Sequence, residues 1–265
     1  MTNLVDTLML ERIQLATLMD DPYMQVFFEN NITCTQLVLR IIMNKDDLIV
    51  KSVNVQRVMR GADTSRYVRL DVYAVDSENK HYDIEVQNDS SGASPPRARY
   101  NSAMIDANIL KTGEPYSLLK ERESIIIFIT DKDVLGDDEP IYMIERVITK
   151  TGKLFNDGTH IVYVNSSKQD TSTALGKLMH DFRCAKAEEM FYHDISDRTL
   201  AVKEKMKGGT AAMGVWQEMK HEAEIQTSEN IALNLIKAGK LALDEIANVC
   251  SLTLQRVQEL AKTAS

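Results

Sequence analysis

The run SIIIFIT at residues 124–130 is apolar at every interior position and is flanked by charged segments. So short an unbroken run fits a strand buried on both faces at the centre of a mixed sheet, and a sheet so placed needs helices to cover it. The preceding sequence supplies helical patterns. Leu4, Leu8, Ile13, Leu15 and Leu18 predict an amphipathic helix over residues 3–18 that stops near Asp20, Asp21 and Pro22. A short helical turn is expected over 23–28. A further helix carries Leu37, Val38, Ile41 and Ile42 on its apolar face, with Thr33 or Thr35 as its cap. Residues 47–60, 141–146 and 160–165 read as strands. The fold class is therefore α/β, a mixed sheet flanked by helices. From Thr171 onward the pattern is helical, which divides the chain into 1–170 and a helical C-terminal region, 171–265.

Between the first strand and the apolar run lies RLDVYAVDSENKHYDIEVQ, residues 69–87, in which two strand-like arms flank a polar DSENK segment. The arms predict a β-hairpin, entered through a turn at Gly61, Ala62, Asp63 and Thr64. Side chains alternate with period two, so Arg69, Asp71, Tyr73 and Val75 share a face, as do Asp83, Glu85 and Gln87. A loop at 76–80 sets Val75 opposite His81, Tyr73 opposite Asp83, and Asp71 opposite Glu85. Directly opposed Cβ atoms lie roughly 5 Å apart, where like charges repel. A divalent cation bound there would reverse the sign.

These residues resemble a known family, the PD-(D/E)XK nuclease-like transposases, also called recombination-promoting nucleases. The likeness is carried by Asp71 in RLDVYA and by Glu85-Val86-Gln87 in YDIEVQ. It continues through RARYNSAMIDANIL, SIIIFIT, PIYMIER and GKLMHDF, nearly the whole chain. Leu70 stands where the motif's name has Pro, and Gln87 where it has Lys. The resemblance implies a PD-(D/E)XK restriction-endonuclease-like core over 1–170. It also implies catalytic roles for Asp71, Glu85 and Gln87, with Asp71 and Glu85 as ligands of Mg²⁺ or another divalent cation, and DNA as substrate. In this superfamily the helix before the first strand sometimes adds a carboxylate, for which Glu29 is the candidate.

After Gln87 the segment NDSSGASPP lacks periodicity and predicts a loop over the site mouth. Pro95 or Pro96 then starts a helix that runs to Gly113. Arg97, Arg99 and Tyr100 lie in its first turns and are the candidate substrate-binding residues, since guanidinium forks and a helix N-terminus suit phosphate. The bland reading is a solvated basic turn. Asp131, Asp133, Asp137 and Asp138 do not match the EF-hand spacing and read as turn residues.

A net charge of −8 argues against a protein that coats nucleic acid through phosphate neutralisation, and leaves room for a local basic face. Three scattered cysteines, Cys34, Cys184 and Cys250, give neither a disulfide framework nor a zinc motif, so a reducing compartment, the cytoplasm, is expected. The apolar runs are far shorter than the ~20 residues that span a bilayer, and no membrane partner is expected. The C-terminal segment 241–263 carries Leu241, Ile246, Val249, Leu252, Leu254, Val257 and Leu260 with few cations. It reads as a packing or homo-oligomerisation element. The leading function is a slow, metal-dependent DNA endonuclease, because an amide at position 87 can orient water and brings no charge. The alternative is a catalytically silent DNA-binding or assembly protein with the same fold.

Overall fold

The computed structural model describes residues 11–60, 67–88, 90–207, 228–229, 231–239 and 241–264. The turn expected at 61–64, residues 3–10 of the first expected helix and residues 208–227 of the C-terminal region expected to be helical lie outside them. The chain forms two compact units, Met1–Lys205 and Met206–Ser265.

The first unit is built on a six-stranded mixed sheet in the order β1-β2-β3-β4-β8-β5. Strands β1 (Val50–Met59), β2 (Val68–Asp76) and β3 (His81–Gln87) form an antiparallel meander. β4 (Ser124–Thr130) lies parallel to β3, β8 (Thr159–Asn165) parallel to β4, and β5 (Ile141–Ile144) antiparallel to β8 at the far edge. Two short strands, β6 (Val147–Ile148) and β7 (Lys153–Leu154), pair separately. The apolar run is β4, central in the sheet and buried at every residue. A parallel β3–β4 pair requires a crossover, and α3 (Pro95–Ile109) provides it.

The helical layers follow from side chains that have to leave water. α1 (Asp21–Phe28) and α2 (Ile32–Met43) bury Tyr23, Phe27, Phe28, Val38 and Leu39. Phe28 meets Phe182 of α5 (Ala174–Arg183), with ring centroids 6.4 Å apart. On α3, Ala98, Met104 and Ile105 pack with Tyr73, Ile126, Phe128 and Tyr163. Arg198 of α6 (His193–Lys207) donates to the carbonyls of Val26, Phe27 and Glu29, satisfying the open C-terminal end of α1. The short α4 (Leu118–Glu121) precedes β4.

Three local expectations are corrected. The cap of α2 is Asn31, whose side chain accepts from Cys34 N at 3.1 Å, rather than Thr33 or Thr35. Thr35 instead returns its hydroxyl to Asn31 O. α3 ends at Ile109, ahead of Gly113. The first helix ends by residue 15 rather than Leu18, because Asp20 accepts from Thr17 N and Oγ1 and folds the chain into a turn.

In the second unit, residues 231–238 are helical and pack with α7 (Leu243–Val249) and α8 (Leu254–Ala264). Ala232, Ile246, Ala247, Cys250, Val257 and Leu260 form its core. Arg256 pairs with Glu229 through Nε at 2.6 Å and Nη2 at 3.0 Å. Leu241, Val249 and Leu254 remain exposed.

Candidate active site

β2 and β3 run in opposite directions, so Asp71 near the start of β2 comes level with Glu85 near the end of β3. Val75 pairs with His81, Tyr73 with Asp83, and Val72 with Ile84, the register that the loop length predicts. The regular ladder stops there. In place of a backbone pair, each carboxylate reaches across to the opposite strand: Val86 N donates to Asp71 Oδ2 at 3.3 Å, and Asp71 N donates to Glu85 Oε1 at 3.4 Å. The sheet thus opens at this point, and two side chains satisfy amides that a continuing ladder would have used.

α3 completes the site. Arg97 Nη2 pairs with Glu85 Oε2, and Arg97 Nη1 donates to Gln87 Oε1 at 3.2 Å and to Gly92 O at 2.9 Å. One turn on, Asn101 Nδ2 donates to Asp83 Oδ2 at 3.0 Å. Four residues of helix rise about 6 Å and two residues of strand about 6.6 Å. The i,i+4 pair on α3 therefore matches the i,i+2 pair Asp83 and Glu85 on β3. Gly92, in a 3₁₀ turn over Ser90–Ala93, leaves room for Gln87 where a Cβ would stand 2.2 Å from its Oε1. Tyr163 holds this turn down by donating to Ala93 O at 2.9 Å.

Three carboxyls are crowded here with little solvent: Asp83 and Glu85 are fully buried and Asp71 is 9% exposed. Burial pushes the Asp71 carboxyl well above the usual range, and the charges of Glu85 and Asp21 push the same way against Arg97 and the Val86 N–H. Glu85 is raised by burial and then by Asp83, with Arg97 opposing. Asp83 is pushed up to about 8 by burial and by Asp71, although Asn101 and Arg97 pull it down. Its Oδ1 has no hydrogen-bond partner among the described residues. With all three ionised, Arg97 leaves two negative charges uncompensated. That is the charge of one divalent cation. Among the described residues, no three His, Cys, Asp or Glu side chains already stand together as a metal-holding group.

The model of the PD-(D/E)XK nuclease family transposases matches residues 29–183, more than half of the chain. The chain belongs to this family. No curated protein and no solved structure matches it. The six-stranded mixed sheet flanked by helices, with further helices toward the C-terminus, is consistent with the PD-(D/E)XK fold.

In this PD-(D/E)XK chain the residues singled out from sequence fall in different places. Asp71, Gln87 and Arg97 each bond to Glu85, and Arg97 also bonds to Gln87. Arg99 and Tyr100 lie on the exposed side of α3. Glu29 is the exposed C-cap of α1. The carboxylate of that helix whose charge reaches Asp71 is Asp21, at the opposite end. Asn88 Nδ2 donates to Met19 O at 2.6 Å, tying the end of β3 to the segment that leads into Asp21. Sequence reasoning missed Asp83 and Asn101 as site residues. The signal that could have found them is the spacing match between Arg97/Asn101 and Asp83/Glu85.

Proposed function

We propose that this protein is a divalent-metal-dependent DNA endonuclease, with Asp71 and Glu85 holding the cation and Mg²⁺ as the natural choice for hard oxygen ligands. The observation that carries the reading is the cluster of buried carboxyls at the opening in the sheet. A silent scaffold gains nothing from three carboxyls in a dry site with one guanidinium between them, because unpaired buried charge costs stability. The donor set fits the cation in chemistry and in charge. When bound, it supplies Lewis-acid polarisation of a phosphoryl oxygen and lowers the pKa of a water.

The chain's own residues do the rest. Gln87 accepts from Arg97 and donates to Glu85 Oε2 at 3.4 Å, so its amide is held in one orientation, suited to fixing an attacking water. Arg97 brings next to position 87 the positive charge that glutamine lacks, and with Arg99 and Tyr100 it offers donors to the phosphate backbone. The exposed Leu241, Val249 and Leu254 give the second unit a surface for assembling copies. No helix among the described residues is long and apolar enough to cross a membrane. Nicking of supercoiled plasmid with Mg²⁺ and with EDTA, by wild type and Asp71→Ala, tests the reading. Activity that depends on both metal and Asp71 is expected, and equal activity of the two proteins would refute it.

A further inference from the structure

Gln56 sits in β1 where strand geometry does not account for it. Its neighbours Val55 and Arg57 pair with Val72 and Leu70, so its register position faces Asp71, yet these two residues do not pair. β2 is thus released from the regular ladder at Asp71 on both of its sides. The φ of Gln56 is +53°, a left-handed value that a non-glycine residue adopts in mid-strand only at a cost, and strain of this kind collects at functional sites. Both ends of its amide, Oε1 and Nε2, are buried with no hydrogen-bond partner among the described residues. Each orphaned atom forfeits its hydration without return. An apolar side chain of the same length would avoid that loss.

We propose that Gln56 is a further polar arm of the site, whose amide engages a hydrated phosphodiester. Nε2 donates to a non-bridging phosphate oxygen, and Oε1 accepts from a water lying against it. The identity of the ligand rests on the nuclease reading above. The two ends of the amide decide between ligand classes. A bare cation satisfies Oε1 and leaves Nε2 orphaned, and a bare anion does the reverse. A phosphodiester with its water presents one acceptor and one donor together. On β3, the other neighbour of β2, Asp83 Oδ1 is also without a hydrogen-bond partner among the described residues, and the charge of Asp71 acts on this carboxyl.

The test uses the full chain with two substitutions. Gln56→Met keeps length and removes both orphaned atoms, and Gln56→Gly removes the side chain and suits a positive φ. Urea unfolding without metal, affinity for a labelled DNA duplex in Ca²⁺, and plasmid nicking in Mg²⁺ are measured for each. Both variants are expected to unfold at the wild-type midpoint or above, and to nick about 10-fold to 100-fold more slowly. Gln56→Met should also bind the duplex more weakly. If either variant nicks at the wild-type rate, the amide is not used and the proposal is overturned. A lower midpoint for Gln56→Met with unchanged nicking assigns the amide to a structural water, which also overturns it. Wild type that neither binds nor nicks DNA removes the nuclease reading, and the phosphodiester assignment falls with it; the two failures are thereby distinguished.

Discussion

Replacing Gly92 with alanine sets a methyl group where the side chain of Gln87 now lies. The new Cβ would be 2.2 Å from Gln87 Oε1, 3.2 Å from its Cδ and 3.5 Å from Arg97 Nη1. Real Cβ contacts essentially never fall below 3.0 Å, so the amide oxygen has to retreat by about 0.8 Å. The backbone does not object, since Gly92 is not among the residues with positive φ. Because the obstructing atom is the end of a flexible side chain, the stability cost stays at the low end of the overpacking range, about 1 kcal/mol. The functional cost is larger. Gln87 loses the geometry in which it bonds Arg97 at 3.2 Å, and a displacement near 1 Å at a reacting centre costs on the order of 10²-fold in rate. Plasmid nicking in Mg²⁺ should fall roughly 10-fold to 100-fold, with a melting temperature close to wild type. A Gly92→Ala protein that is equally stable and nicks at the wild-type rate would show that the position of the Gln87 amide is irrelevant to cleavage.

Neutralising Arg97 and Arg99 together should weaken DNA binding and flatten its salt dependence by roughly 2 in the slope of log K against log salt, about 0.9 per lost phosphate contact; an unchanged slope would mean that neither arginine touches phosphate. The metal-free protein should lose stability as pH rises from about 5 to about 8. Asp83 is held near 8 in the fold against about 3.9 when unfolded, so over this window the folded state binds the extra proton and is favoured at the lower pH. Asp71 and Glu85 are raised in the same direction and act with the same sign. Urea midpoints measured in EDTA across that window should fall, and a rise would mean that these carboxyls are already ionised and compensated at the lower end.

The parts of the fold that depend on local pattern were legible in the sequence. An unbroken apolar run can satisfy itself only between two covered faces, and it became β4, the central buried strand. The length of the DSENK loop set the hairpin register, and Tyr73–Asp83 and Val75–His81 pair accordingly. What the sequence did not disclose depends on tertiary context. The Asp71–Glu85 ladder pair is replaced by side chains that cross between strands, because the sheet splays there. The Arg97–Glu85 pair depends on how the 3₁₀ turn seats α3. The positive φ of Gln56 has no sequence signature, since Val-Gln-Arg is ordinary strand composition. Asn31 took the cap from Thr33 and Thr35 because α2 starts one residue after it, at Ile32.

The proposed role of Asp71 as a cation ligand is tested most directly by Asp71→Asn. The substitution removes one of three crowded negative charges and keeps a side-chain oxygen that can accept from Val86 N, now 3.3 Å away. In EDTA the variant should melt at the wild-type temperature or higher, because the repulsion with Glu85 is relieved. Wild type should gain stability with Mg²⁺ by RT ln(1 + [L]/Kd), roughly 2.7 kcal/mol at about 100 times Kd. Melting curves of both proteins with and without Mg²⁺, run beside the nicking assay, should show that gain and cleavage in wild type and neither in Asp71→Asn. If Asp71→Asn instead melts lower in EDTA and keeps the wild-type response to Mg²⁺, Asp71 is a structural acceptor and the cation is held elsewhere.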